Sequence, residues 1–180
     1  MKSRKHFFTT ALACVALALT LLLGSRVGHR HSAAATPSRI VDAADFPNLQ
    51  AAFDAVPESG GLVKLPPGEF ELTEPLRLQR ENTRVVGAGT GTHLINRNRE
   101  RAPALILRHP NRDKNPKARL WRVQLADFRI SGNPESGDGL LAEGINEIYL
   151  HGLSIDHNGG HGMNLIDCYE DPRVADSILT

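Results

Sequence analysis

Aspartate and histidine side chains suited to acid–base chemistry are concentrated between residues 138 and 162. Asp138 is followed by a glycine, and Asp156, His157 and His161 belong to a short run that is otherwise Asn and Gly. Carboxylates and imidazoles are the groups that most often move protons in enzymes. We therefore predict Asp138, Asp156, His157 and His161 as candidate catalytic residues. The alternative is a structural role, the commoner one for such residues, because Asn, Asp and Gly favour bends and hydrogen-bond to nearby backbone.

Basic side chains form a second group of candidates, since residues 97 to 122 contain nine Lys or Arg and only two acids. Such a stretch can hold a polyanion by charge attraction. The predicted substrate-binding residues are Arg97, Arg99, Arg101, Lys114 and Lys117, and Arg108, Arg112 and Arg119 belong to the same stretch. The alternative is a solvated, poorly ordered loop.

An acidic cluster near the end of the sequence raises the question of a metal ion. Asp167, Glu170, Asp171 and Asp176 could attract Ca²⁺, but their spacing matches no defined calcium loop, so the alternative is a solvated edge. The chain has two cysteines, Cys14 and Cys168, which are too few for a Cys-based zinc site. With 41% apolar and 23% charged residues, the 180-residue chain suits one globular domain.

The first 40 residues have the pattern of an export signal. Lys2, Arg4 and Lys5 precede an uncharged, largely apolar run over residues 7 to 23, as in a signal peptide. The run is nearly long enough to span a membrane, so an uncleaved N-terminal anchor is the alternative. We expect a secreted, periplasmic or extracellular protein. We expect no nucleic-acid partner for two reasons. The protein would be exported, and its basic stretch has no aromatic residue before Trp121 on which a base could stack.

The mature sequence begins with one helical pattern and continues with strand patterns. Residues 45 to 56 place Leu49, Ala52, Phe53 and Val56 on one stripe, which predicts a short amphipathic helix. Short alternating segments follow at residues 62–65, 70–72, 76–78 and 84–87, separated by turn residues. A lone short helix is not stable by itself. We therefore expect it to cover the open end of an all-β structure.

An internal repeat indicates how the strands are arranged. Residues 123–130, 148–155 and 172–179 superpose without gaps, and their starts are 25 and 24 residues apart. A second pair, 138–142 and 161–165, is 23 residues apart. This period suits one coil of a three-strand solenoid, whereas a leucine-rich repeat would need an asparagine-centred consensus and helices. The predicted interior ladders are Leu125, Leu150 and Val174, and Ile130, Ile155 and Leu179.

Three segments, residues 46–55, 60–70 and 86–89, resemble the N-terminal region of the rhamnogalacturonase and epimerase-like pectate lyase domain, over residues 42 to 96. The resemblance implies an all-β, right-handed parallel β-helix (solenoid) with a short N-terminal capping helix, over residues 41 to 180. It also implies a secreted protein that acts on acidic, uronate-containing polysaccharide by elimination, hydrolysis or epimerisation. The substrate would lie in a groove along the parallel strands. Ca²⁺ or Arg and Lys would neutralise its carboxylates.

The candidate catalytic run also resembles part of the polygalacturonase pattern. Gly160-His161-Gly162 is similar to its glycine-flanked histidine, and Asp138-Gly139 to the end of its Asn-Thr-Asp-Gly motif. The paired aspartates and the Arg-Ile-Lys segment are missing, so we do not assign this activity. A non-catalytic β-helix surface or binding module is the alternative function. We also expect an incomplete C-terminus, and an inactive fragment of a larger enzyme would follow if the site lay on later coils.

Overall fold

The computed structural model describes residues 39 to 180, so the predicted export signal or anchor with its linker, residues 1–40, lies outside the described residues except for its last two positions. Short strands account for most of the regular structure, and their bounds follow in chain order. They are β1 Arg39–Asp42, β2 Gly61–Lys64, β3 Gly68–Leu72, β4 Leu76–Leu78, β5 Thr83–Asn96, β6 Leu105–Arg108, β7 Leu120–Trp121, β8 Gln124–Ser131, β9 Leu140–Glu143, β10 Ile145–Asn146, β11 Tyr149–His151, β12 Ser154–Asp156, β13 Met163–Ile166, β14 Arg173–Ala175 and β15 Ile178–Leu179.

These strands pair in parallel ladders that run from coil to coil. The first face contains β1, β2, the start of β5, the start of β8, β11 and β14. The second face contains β3, the end of β5, the end of β8, β12 and β15. The third face contains β4, β6, β9 and β13, and β7 with β10 forms a short fourth ladder. Residues 39–180 therefore form a parallel β-helix of about six coils, which confirms the predicted solenoid.

The predicted interior ladders have the predicted register. Leu150 lies opposite Leu125 on one side and Val174 on the other. The second ladder is formed in the same way by Ile130, Ile155 and Leu179. Leu125 and Leu150 are fully buried, whereas the side chains of the last described coil are half exposed, with Val174 and Leu179 at 50%. Aliphatic side chains stacked at about 4.8 Å intervals therefore form the core.

Residues with positive φ recur at both ends of the first face. These bends at equivalent positions explain the period of the repeat. Asp127, Gly152 and Asp176 occupy the same bend on successive coils, with φ of 58°, 62° and 48°. Arg122 and Glu147 share the preceding bend, with φ of 55° and 56°. Gly152 packs against the Asp127 carboxylate, where a Cβ would overlap it. Each coil therefore turns at equivalent positions, and the ladders stay in register.

The N-terminal helix, α1 Leu49–Asp54, is shorter than predicted because Asn48 caps it, its Oδ1 accepting a 2.9 Å hydrogen bond from the Ala51 N–H. A separate 3₁₀ turn, Ala43–Asp45, precedes it. The stripe of Leu49, Ala52, Phe53 and Val56 is buried, as predicted. Among residues 39–180, no helix has the length and apolar composition needed to cross a bilayer.

Candidate functional site

Asp138 and His161 stack at one corner of the solenoid, one coil apart. They precede the paired strands β9 and β13. Asp138 Oδ1 accepts hydrogen bonds from the His161 backbone N–H at 2.8 Å and contacts the His161 ring Nδ1 at 3.1 Å. Asn164 Nδ2 donates to Asp138 Oδ2 at 2.9 Å. Neither Asp138 nor His161 has a positive φ, so the structural role of this carboxylate is to join two coils rather than to permit a left-handed bend.

The hydrogen bonds also set the ionisation of Asp138. Partial burial works against its charged form, but the donors from Asn164 and His161 outweigh burial and lower the pKa of Asp138. The carboxylate is therefore ionised at neutral pH, which suits a proton acceptor and not a general acid. His161 is 75% exposed beside it.

Asp156 and His157 form a second pair, on the second face at the end of β12. Asp156 is buried, and its two oxygens accept hydrogen bonds from Arg129 Nε and Nη2 at 2.9 and 3.1 Å. Its Oδ1 lies 2.6 Å from His157 Nδ1, and the His157 side chain is 78% exposed with a φ of 55°. Arg129 is the main cause of a lowered pKa at Asp156. The structure thus joins the four candidates in two pairs, separated by the turn between β12 and β13.

Replacing Asp156 with Asn should lower the free energy of unfolding at pH 7 by about 2 kcal/mol, because the fork of hydrogen bonds to a charged partner is lost. A folded-state pKa below the unfolded value gives stability that is present above about pH 4 and lost as pH falls through the lower value. The difference between wild type and Asp156→Asn in urea melts should therefore shrink below about pH 4. Asp171→Asn, at an exposed position, is the control. Equal stability of wild type and Asp156→Asn at every pH would contradict this role.

Sequence reasoning missed the polar side chains that surround Asp156 on the second face. Glu69, His93 and Arg129 lie opposite one another on successive coils, and Ser131 lies opposite Asp156. His93 Nε2 lies 2.6 Å from Ser131 Oγ, and His93 Nδ1 lies 3.8 Å from Glu69 Oε1. We call these five residues the second-face cluster: Glu69, His93, Arg129, Ser131 and Asp156. Arg129 and Ser131 could have been found, because they flank the inward-facing Ile130 and must point outward.

The five predicted substrate-binding residues lie in two loops on either side of the third face, residues 97–104 and 109–119. Two of them, Arg97 and Arg99, have acidic partners. Arg97 donates to Glu71 Oε1 at 2.7 Å from Nη2, and Arg99 Nε lies 3.5 Å from Glu135 Oε2. The other predicted substrate-binding residues, Arg101, Lys114 and Lys117, are exposed.

Arg112 behaves differently from a substrate-binding side chain, since it is only 4% exposed. Its Nε donates to Glu143 Oε1 at 2.9 Å and its Nη2 to Asp167 Oδ2 at 2.5 Å. Its Nη1 donates to the carbonyls of Pro116 and Ala118 at 2.9 and 3.0 Å. The loop at 109–119 is therefore connected to two neighbouring coils through Arg112. Glu143, the outward carboxylate of β9, serves this ion-pair network.

A groove runs along the first face, across the coils. Its outer column contains Leu62, Arg84, Gln124, Tyr149 and Arg173, each opposite the next on the neighbouring coil. Three adjoining depressions follow this column and share Gln124, and the largest has a volume of about 880 Å³. The groove therefore spans several coils with basic and neutral polar side chains.

Both ends of the groove contain further charges. Arg122 lines two of the three depressions, and its Nε donates to Asn82 Oδ1 at 2.7 Å. Glu147, Glu170 and Asp171 line the part next to the last described coil. Within residues 39–180, no group of three or more His, Cys, Asp or Glu side chains is placed to hold a metal ion. The possibility of Ca²⁺ at the acidic cluster therefore gains no support from these residues.

Comparison with known proteins places the chain by its fold. No family model matches the chain, and no curated protein matches it. Among solved structures, the chain is similar to ORF18 of Geobacillus virus E2, with a TM-score of 0.64 and 19% sequence identity. The match covers 89% of this chain and 31% of that chain, so this chain spans about a third of that protein's length. At this identity, the likeness shows a shared parallel β-helix fold.

Proposed function

We propose that this chain is an exported, pectate-lyase-like β-helix protein that binds a uronate-containing polysaccharide along the first-face groove. Two features support the proposal. The segments that resemble the pectate-lyase-like family, residues 46–55, 60–70 and 86–89, lie on the N-terminal helix and first coils of a parallel β-helix, where the resemblance expects them. The groove also runs across the coils, as a linear polymer requires.

The outer column of the groove is the observation that carries the proposal. Arg84 and Arg173 occupy this column with Gln124 and Tyr149 between them, and Arg122 lies beside it. Guanidinium groups bind carboxylates by paired hydrogen bonds. Tyr combines an apolar ring face with a hydroxyl. Arg84 and Arg173 lie three coils apart in the column, roughly 14 Å at about 4.8 Å per coil, which suits a polymer that presents carboxylates at intervals.

On such a polymer the reaction would be elimination, hydrolysis or epimerisation, and Asp138, Asp156, His157 and His161 are the proposed catalytic residues. They lie on the second face and at the corner before the third face, so catalysis requires that the polymer extend beyond the first-face groove. At neutral pH the carboxylates of Asp138 and Asp156 are ionised and can accept a proton, but their lowered pKa values make them weak bases. Arg97, Arg99, Arg101, Lys114 and Lys117, on the loops flanking the third face, are proposed as further contacts to the acidic chain.

A non-catalytic binding module is the second candidate function. It is favoured by one observation: both aspartates already hold structural partners, Arg129 at Asp156 and Asn164 at Asp138. In this case the groove would bind the polymer without turnover.

Binding of polygalacturonate to the full chain tests the proposal, with an uncharged glucan as the control polymer. Arg84→Gln and Arg173→Gln should each weaken binding about tenfold, as expected for the loss of a charge-assisted hydrogen bond. Added salt should weaken binding to the wild type. Arg77→Gln, an exposed arginine on the third face, should leave binding unchanged. Equal affinity for the glucan, or no effect of either groove variant, would overturn the proposal.

Turnover separates the enzyme from the binding module. Polygalacturonate, rhamnogalacturonan and alginate are incubated with the chain, with and without Ca²⁺, and unsaturated products and new reducing ends are measured. Product from any of these polymers supports the enzyme. Binding without product supports the module.

A further inference from the structure

The second-face cluster contains a serine, an imidazole and a carboxylate in consecutive contact across three coils. We propose that Ser131, His93 and Glu69 form a nucleophilic site that hydrolyses carboxylic esters, such as O-acyl groups. The site lies on a different face from the polysaccharide groove, and the inference does not depend on polymer binding there.

The register of the strands brings these residues together. Glu69 on β3 lies opposite His93 on β5, and His93 lies opposite Arg129 on β8. Ser131 follows Arg129 by two residues, so both point to the same side of the sheet. His93 therefore reaches diagonally to Ser131, and its Nε2 lies 2.6 Å from Ser131 Oγ. A nucleophile hydrogen-bonded to a base that a third group orients is the arrangement that activates a serine.

The surroundings of His93 favour its neutral, proton-accepting form. The groups that face it are Glu69 from β3, Arg129 and Ser131 from β8, and the Asp156 carboxylate from β12. Burial lowers the pKa of His93, Arg129 lowers it further, and Glu69 and Asp156 oppose them. The His93 side chain is 15% exposed and Ser131 is partly buried, so the contact between them lies at the protein surface.

Glu69 completes the relay as a positioning residue. Its Oε1 lies 3.8 Å from His93 Nδ1, and its side chain is 76% exposed. Rotation of an exposed side chain can shorten this separation, and such hydrogen bonds are often long before substrate binds. With Nδ1–H directed at Glu69, Nε2 accepts the hydrogen bond from the Ser131 hydroxyl.

The reaction balances with water as the only co-reactant. The Ser131 proton moves to His93 Nε2 as Oγ attacks the ester carbonyl carbon, and the alkoxy group leaves with that proton. Water then transfers a proton to His93 and attacks the acyl carbon. The carboxylic acid is released as the Ser131 oxygen regains a proton from Nε2. Arg129 holds Asp156 through Nε and Nη2, which leaves Nη1 to donate toward the carbonyl oxygen.

Covalent labelling of the full wild-type chain tests the site without any substitution. Diisopropyl fluorophosphate should modify Ser131, identified by peptide mass spectrometry, and 4-nitrophenyl acetate should be hydrolysed above the buffer rate. Ser154 lies on the same face, opposite Arg129, and is the internal control that should stay unlabelled. Equal labelling of Ser131 and Ser154, or none, would overturn the proposal.

Variants test the roles of the individual groups. Ser131→Ala should abolish labelling at that position and reduce ester hydrolysis to the buffer rate. His93→Gln should slow both reactions about a hundredfold or more, as expected for loss of a general base. Ser154→Ala should match the wild type, and circular dichroism of each variant controls for folding. Hydrolysis that survives in Ser131→Ala would contradict the assignment.

The pH profile distinguishes this relay from a structural hydrogen bond. The labelling rate should fall as acid protonates His93, at a pH below the ordinary histidine value. Glu69→Gln should move that fall to still lower pH, since Glu69 raises the pKa of His93. A profile unchanged by Glu69→Gln would exclude Glu69 from the relay. Ester hydrolysis and polygalacturonate binding are measured separately, so failure of this site and failure of the groove are separate results.

Discussion

Leu150→Asp should unfold the solenoid at ambient temperature. Leu150 is fully buried between Leu125 and Val174 in the first interior ladder. The substitution removes a core side chain, which by itself costs about 2–5 kcal/mol. It also places a carboxylate among aliphatic groups, which adds several kcal/mol because the charge has no partner. The sum approaches the whole stability of an ordinary domain, about 5–15 kcal/mol.

Thermal and urea unfolding followed by far-ultraviolet circular dichroism measure this effect. Gln124→Asp is the matched control, since Gln124 is exposed on the outer side of the same face, next to the buried Leu125. It should change the melting temperature little. A folded Leu150→Asp protein that melts like the wild type would show that the ladder register is wrong.

Arg112→Gln should destabilise the protein by about 3 kcal/mol, the low end of the range for removing one partner of a buried ion pair, because Asp167 is 47% exposed and Glu143 keeps Arg108 as a second partner. The substitution leaves Glu143 and Asp167 without their shared cation, and it removes the donor to the Pro116 and Ala118 carbonyls. The loop at 109–119 would lose the side-chain contacts that connect it to two coils. Hydrogen exchange should show faster opening of that loop than of the first-face strands.

Two variants control the interpretation of Arg112→Gln. Lys114→Ala, an exposed position in the same loop, should leave stability within about 0.5 kcal/mol of the wild type. Gly144→Ala should be destabilising like Arg112→Gln, because Gly144 packs against the Arg112 guanidinium with a φ of 69° and a Cβ would overlap it. Equal melting temperatures of Arg112→Gln and Lys114→Ala would show that the buried network does not contribute to stability.

If both sites act, the molecule would carry two functions on two faces of one scaffold. The first-face groove crosses the coils and would hold an extended acidic polymer. The second-face cluster would remove acyl esters. An O-acylated uronate polysaccharide would present both features, and a parallel β-helix can display one row of side chains on each face because alternate residues point outward.

Local patterns were sufficient to predict the N-terminal helix and the ladders. The stripe of Leu49, Ala52, Phe53 and Val56 is a matter of helical period, and it is buried as expected. The repeat, with starts 25 and 24 residues apart, also predicts the strand register, because coils of nearly equal length place Leu150 next to Leu125. The stacking of His161 on Asp138 follows from the same argument and is present.

The polar contacts between distant coils were not predictable in this way. His93 and Ser131 are 38 residues apart, and Arg112 and Asp167 are 55 apart. The loops at 97–104 and 109–119 interrupt the period between them, so no fixed spacing links these pairs. The sequence therefore groups Arg112 with the basic residues that could bind a polyanion, whereas in the structure its hydrogen bonds connect two coils. Its role depends on which carboxylates the folded coils place beside it.

The sequence by itself determined the kind of fold, its repeat and its interior, because alternation and equal coil length are local properties that each coil expresses independently. Only the tertiary structure decided which outward side chains meet, because those contacts depend on the lateral stacking of coils joined by loops of unequal length. The Ser131–His93 contact and the Arg112 network belong to this second group.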